Sequence, residues 1–364
     1  MKRPKLYIID EYIIKKFLGT FFFAILLIIL IAVIFDFSEK IDDFIEKNAP
    51  LHAIIFDYYL NFIPYFAVLF MPLFTFVAVI YFTSRLAYNT ELIAILSSGV
   101  SFNRVLRPYF MSATIIAVFS FILNNFVIPG STKEMLAFEE LYYRKKPATF
   151  SKTNVHRQIE PGVIIYLESF NTYNNYGRKF SIEKYVHGKL VSKLLSEDIR
   201  WDSAKNKWKV RNYYIRDYED DHQKITTGAS IDTTIKVTPD DFKRRDNAIQ
   251  AMDYKELNDF IKSQKMQGSS SVILSLIEKY RRVSVPFSTF ILTLIGVSVS
   301  SRKAKGGIGI HIGIGLALSF AYILFMQFST QFAIGGNFNP LLAVWLPNII
   351  FAFIAFLLYR LAPK

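Results

Sequence analysis

The chain of 364 residues is 52% hydrophobic and 16% aromatic, with 35 phenylalanines, which is too apolar for an ordinary soluble domain and points to a polytopic membrane protein. Its formal net charge of +13 is read as orienting loops rather than as a nucleic-acid surface, because apolar spans dominate the chain. With no cysteine, disulfides and thiol chemistry are excluded.

The first sixteen residues are polar and basic, with Lys2, Arg3, Lys5, Lys15 and Lys16 against Asp10 and Glu11. Tyr7, Ile8, Tyr12 and Ile13 suit a short interfacial helix leading into the membrane. Phe17 to Phe35 is free of charge, long enough to cross about 30 Å of hydrocarbon. It is longer than a signal-peptide core and lacks a small-residue cleavage site after it, so it is expected to stay as the first span. The loop Asp36 to His52 is net acidic and poor in Lys and Arg, which puts the N-terminus inside. A second span is expected within Tyr58 to Ser84, kinked or interrupted at Pro64 and Pro72. A third follows at Pro108 to Ile128, with Asn124 and Asn125 hydrogen-bonded near its outer end.

Between the second and third spans, Arg85, Arg104 and Arg107 mark an inside loop. It contains Asn89 to Ser101, NTELIAILSSGVS. Asn89 or Thr90 can cap a short helix, and Glu91 lies in its first turn, where the helix dipole favours a carboxylate. Leu92, Ile95, Leu96 and Gly99 fall at i, i+3, i+4 and i+7, one helical face, and Gly99 is a stop signal. Such an apolar stripe either packs under its own bundle, lies on the lipid surface, or plugs a groove on a soluble partner.

From Pro129 to about Ser270 nothing could span a bilayer, and after three spans this region is expected outside. Val163 to Leu167, Phe180 to Val186, Lys207 to Asp217 and Ile225 to Thr238 read as strands, separated by turn-forming stretches at Asn171 to Gly177 and Asp202 to Lys207. They predict an all-β sandwich or jelly roll. Met252 to Lys265 returns to helical period, and Ser270 to Arg282 is a helix entering the membrane. Lys279, Arg281 and Arg282 then sit on the outer side, against the positive-inside expectation; such a cluster either is noise or holds an anion. The fourth span is Val283 to Ser301, followed by an inside turn at Arg302, Lys303 and Lys305. Gly306 to Tyr359 carries no charge and is too long for one span. A break near Gly335 to Pro340 gives a fifth span at Ile308 to Ile334 and a sixth at Leu341 to Tyr359, with the C-terminus inside. Gly309, Gly313 and adjacent small residues permit close helix approach.

No Walker A, GxSxG or HExxH pattern and no metal-spaced cluster occurs. His52, His156, His187, His222 and His311 are scattered, and the pairs Asp42-Asp43, Asp220-Asp221 and Asp240-Asp241 read as solvated loops. The spans offer no charged relay, which disfavours an ion-coupled transporter and an intramembrane enzyme.

Taken together, the order of elements, TELIAILSSGVS after span two, AMDYKELNDFI before span four, YRRVSVPFSTFILTLIGVSVSSRKAKGGIGIHIGIG through spans four and five, and WLPN near the end resemble the LptF/LptG permease family. These are transmembrane subunits of the lipopolysaccharide exporter. The resemblance covers essentially the whole chain. It implies an α-helical membrane protein with six spans in two groups of three and a β-jellyroll domain inserted between spans three and four. The halves are expected at 1–129 and 251–364, the latter with linking helices, and the jellyroll at 130–250. It implies a multi-pass protein of the bacterial inner membrane, with cytoplasmic termini and a periplasmic β-domain. Implied partners are a second LptF/LptG-type subunit, an LptB-type ATPase dimer, LptC- and LptA-type bridge proteins and lipopolysaccharide. The resemblance assigns ATP and Mg to the ATPase, and no cofactor, metal, nucleic acid or catalytic residue is expected of this chain. Glu91, Leu92, Ile95, Leu96 and Gly99 would contact the ATPase. Spans one and five would line the lipid cavity, and Lys40, Arg281 and Arg282 would approach lipid phosphates. A scaffold or sensor with a ligand-binding β-domain is the rival reading; it requires neither ATP nor a lipid-filled cavity.

Overall fold

A computed structural model of the chain describes residues 8–143, 151–219, 222–239, 242, 249–269, 271–301, 308–336 and 338–362. Lys2, Arg3, Lys5, Asp220, Asp221, Asp240, Asp241, Arg302, Lys303 and Lys305 lie outside them. The chain divides into two compact units. One is the helical bundle: α1 (Ile8–Glu46), α2 (Leu51–Tyr88), the short α3 (Glu91–Ser97), α4 (Phe102–Tyr143), α6 (Val272–Ser300), α7 (Ile308–Ile334) and α8 (Pro340–Leu361). All but α3 are long and apolar enough to cross a membrane. The other unit holds a six-stranded sheet and the helix α5 (Tyr254–Met266).

The helices outrun the hydrocarbon. In α1 the charge-free stretch from Phe17 to Phe35 sets the membrane depth, but a helix needs only intact backbone hydrogen bonds to continue into water. It therefore runs from the polar start through the acidic stretch to Glu46. The helix α2 passes through Pro64 and Pro72 without ending. Its hydrogen-bond ladder is widened instead at a π-helical segment, Ile54–Tyr59, and α4 has a similar one at Leu123–Val127. There Asn124 and Asn125 return their side-chain amides to the carbonyls of Ser120 and Phe121. This serves backbone groups that have no water to turn to.

The second span, α2, is the hub of the bundle. Met71, Val79, Phe82 and Leu86 share an apolar cluster with Phe17 and Phe21 of α1 and with Val105 and Tyr109 of α4. On its other side Phe76 and Ile80 meet Leu292 and Ile295 of α6, Tyr322 of α7 and Phe351 of α8. Without a hydrophobic drive inside lipid, such contacts depend on small residues that let backbones approach. The close approach is at Gly296, where a Cβ would stand 2.7 Å from a methyl of Val79, and at Gly315, where it would stand 2.3 Å from Ile80 Cδ1. At Gly309 and Gly313, expected from sequence to make such contacts, a Cβ would meet nothing within 4 Å. The glycine-rich start of span five thus packs through one position only among those described.

In the second unit, β1 (Ser151–Glu160), β2 (Val163–Asn171), β3 (Tyr176–Val186), β4 (Lys189–Asp202), β5 (Lys207–Glu219) and β6 (His222–Thr233) form one antiparallel sheet in consecutive order. Ile165, Leu167, Phe170, Phe180, Ile199, Trp208 and Val210 share one core with Val237 and Phe242 beyond the last strand. The indole of Trp208 donates to the Val237 carbonyl at 2.6 Å. In β5 Trp208 and Val210 are buried, while Asn212 is exposed with a left-handed φ of 46° and ends the alternation.

Gly296→Val should overpack the seam between α2 and α6 and destabilise the bundle by about 1–3 kcal/mol. Gly309→Val should change little. Thermal unfolding of the two purified variants separates the outcomes.

Candidate functional site

The helix α3 occupies the short connection between α2 and α4. Its entry differs from the expected cap: Thr90 is left-handed (φ 61°) and neither it nor Asn89 caps the helix by its side chain. The Thr90 hydroxyl turns back to the Asn89 carbonyl. The Asn89 amide instead donates to Glu91 at 3.2 Å, and the hydroxyl of Tyr12 on α1 donates to the same carboxylate at 3.1 Å. The exit is as expected. Gly99 has φ +88°, a conformation open to glycine at no steric cost, and its amide donates to the Leu96 carbonyl at 3.1 Å.

The apolar stripe faces inward. Leu92 is fully buried, and Ile95 and Leu96 pack half-buried against the same cluster as Phe17, Phe82 and Tyr109. Of the readings open in the sequence, this face serves the chain's own bundle. The surface left for another molecule is Ile93, 42% exposed, with Ala94, Ser97, Ser98 and Gly99. Leu92 therefore has no surface to offer a partner in this conformation. Glu91, half-buried, already accepts two hydrogen bonds from within the chain.

A second tie was not legible as a pair. Arg104, near the start of α4, grips Asp10 of α1 through two bonds of 2.7 and 2.8 Å, and Asp10 is only 5% exposed. A parallel two-bond pair of this kind fixes direction as well as distance. The sequence offered one signal, an acid in the first turn of α1, but Arg104 counted there only as an orienting charge. Nearby, the Tyr359 hydroxyl at the end of α8 donates to Asn103. These bonds gather the start of α1, α3, the start of α4 and the end of α8 at one end of the bundle.

The expected phosphate contacts fare differently. Lys40 is not an open cation. It bonds to Asp36 at 2.8 Å and to the Tyr58 hydroxyl, lies 4.8 Å from the ring centres of Tyr58 and Tyr143, and its side chain is only 12% exposed. Arg282 is 2% exposed and bridges Glu278 to the carbonyl of Met252, holding the segment before α5 against α6. Each is paired within the chain, Lys40 with Asp36 and Arg282 with Glu278. Arg281 is half-buried and makes no ion pair or hydrogen bond among the described residues.

The first and fifth spans differ from the others in cover. In the most apolar window of α1 17% of residues are buried and in that of α7 22%, against 61% for α6. Phe22, Phe23, Leu26, Leu30 and Ile34 on α1, and Phe320, Leu324, Phe328 and Phe332 on α7, point outward. Among the described residues no cluster of His, Asp and Glu could hold a metal.

A six-span bundle with two sparsely covered helices, a helix lodged in one loop and a β-domain inserted between its halves is the architecture of a polytopic membrane protein. The sequence matches the family described as lipopolysaccharide export system permease LptF/LptG over residues 11–361. The chain belongs to that family, as a multi-pass inner-membrane permease of lipopolysaccharide export that works in complex with other Lpt proteins. No curated protein matches the chain.

Asp10→Ala and Arg104→Ala should each destabilise the bundle and the double variant by less than their sum. The coupling should be about 1–3 kcal/mol, reduced from a fully buried pair because the Arg104 side chain is 25% exposed. Equilibrium unfolding of the four proteins measures it.

Proposed function

We propose that this chain is the non-catalytic membrane subunit of an ATP-driven exporter that extracts lipopolysaccharide from the inner membrane and passes it to a periplasmic β-bridge. Arg85, Arg104, Arg107 and Arg360 lie at the α3 end of the bundle, which by the positive-inside rule is the cytoplasmic end. The start of α1 and the end of α8 lie on that side, and the β-domain, reached from the far end of α4, is periplasmic. An LptB-type ATPase dimer uses ATP and Mg; a second LptF/LptG-type subunit completes the membrane part; LptC- and LptA-type proteins continue the bridge.

The observation that carries this reading is the burial of Leu92. A helix glued by its apolar face to the bundle, with the other face open, transmits a push instead of sliding under it. ATP-driven closure of the ATPase presses on Ile93, Ala94 and Ser97. The load reaches α2 through the shared core and α1 through Tyr12–Glu91 and Asp10–Arg104. The outward apolar faces of α1 and α7 supply walls for the acyl chains, closed off by the second subunit. Arg281 is the remaining candidate for a lipid phosphate. In the β-domain Ile235, Val237 and Phe242 cover the apolar face of the sheet and leave beside Trp208 a void of only about 10 Å³, too small for an acyl chain.

Ile93→Asp or Ser97→Arg should weaken retention of the ATPase in the purified complex by roughly tenfold or more, as loss of an interface anchor does, and slow lipid release in proportion. Leu92→Ala should instead lower thermal stability by about 2–5 kcal/mol through the cavity it leaves. Full ATPase retention and unchanged lipid release in the first two variants would refute the lever.

A further inference from the structure

We propose that the chain carries a second lipid site, apart from the cargo path: a cleft between α4, α6 and α8 that holds one anionic glycerophospholipid of the leaflet on the α3 side. The cleft has a volume of about 670 Å³. Leu106, Phe110 and Met111 of α4 form one wall, Leu294 of α6 another and Phe356 of α8 the third. The hydrogen bond between Tyr359 and Asn103, both lining residues, ties α8 to α4 at its end.

The walls and the mouth differ in chemistry. Charge is confined to the end nearest α3. There Arg107, in the second turn of α4, lines the cleft. Arg360, in the last turn of α8, holds its guanidinium 5.0 Å from the ring centre of the lining residue Phe356. Both arginines are exposed, and among the described residues neither makes an ion pair or a hydrogen bond. Inside a bilayer an apolar concavity of this size is not left to water, which needs polar partners; an acyl chain fills it. Two guanidiniums at headgroup depth match a phosphodiester, which they can grip by paired N–H bonds. A net negative headgroup satisfies both, whereas a zwitterionic one adds a cation beside them. The cleft contains no residue of α1 or α7, the spans assigned above to the cargo, so the two sites stand or fall separately.

The test uses the complete complex in nanodiscs containing a photoactivatable phosphatidylglycerol or the matching phosphatidylcholine, with cross-linked peptides mapped by mass spectrometry. The phosphatidylglycerol probe should label 103–114 and 356–360 at least fivefold more than phosphatidylcholine does. Arg107→Gln should cut that labelling about fivefold and the Arg107→Gln/Arg360→Gln pair about twenty-five-fold, while lysine at both positions, which keeps the charge but not the paired N–H donors, should restore only part of it. Thr114→Trp, which fills the cleft without altering charge, should abolish labelling by both probes. Equal labelling by the two headgroups, or labelling indifferent to the arginines, would overturn the site. So would a partner subunit's helix cross-linked in the cleft in place of lipid, or displacement of the probe by lipopolysaccharide, which would make the cleft part of the cargo path.

Discussion

Leu92 is the contact on which the functional geometry depends. A helix of seven residues, Glu91–Ser97, is too short to be stable alone in water. It persists because one leucine is inserted into the core that holds α1, α2 and α4 together. The same insertion decides which side remains for other molecules. The sequence displays an apolar face and an acidic first turn; the fold consumes the apolar face and leaves a narrow surface of Ile93, Ala94, Ser97 and Ser98. Much of the carboxylate is consumed too, by Tyr12 and Asn89.

The ties around α3 make one mechanical unit of pieces distant in the chain. Asp10 and Arg104 are paired across most of the first half of the membrane unit, and Asn103 reaches Tyr359 near the C-terminus. At the opposite end Lys40, Asp36, Tyr58 and Tyr59 form another closed polar knot, beside the aromatic packing of Phe44, Phe62 and Phe138. With both ends of α1 pinned and α2 central, the outward faces of α1 and α7 remain the most thinly covered parts of the bundle. At Gly296 the backbone of α6 comes close to α2, and around it Phe76 and Ile80 interlock with Leu292 and Ile295.

Most of the architecture was legible because the bilayer imposes a length and a polarity that few alternatives satisfy. All six spans, the loop helix with its Gly99 stop, and α5 follow from charge-free runs and helical period. The ends of the spans were not legible: Asp36 to Glu46 is polar, yet it simply continues α1, since helix geometry is indifferent to where lipid stops. Four strands were marked by β-branched and aromatic runs. The first, SKTNVHRQIE, is a polar edge strand that pairs on one side only. The fourth, KLVSKLLSEDIRWD, has leucine spacing that suits a helix as well as a strand. In both, sheet partners override local pattern.

The place of the loop helix was legible in the sequence, whereas the direction its apolar face turns was open there and is set by the fold. Periodicity identifies an apolar stripe but not what covers it, and one-turn spacing alone does not show that Asp36 and Lys40 pair. Since the chain has no cysteine, single cysteines report without background. The most direct measurement is labelling of Ile93→Cys and Leu92→Cys by a membrane-impermeant maleimide in oriented vesicles. The account predicts that position 93 reacts only from the cytoplasmic side and is protected when the ATPase binds, while position 92 stays unreactive. Reaction of position 93 from the periplasmic side, or equal reaction with and without the ATPase, would contradict it.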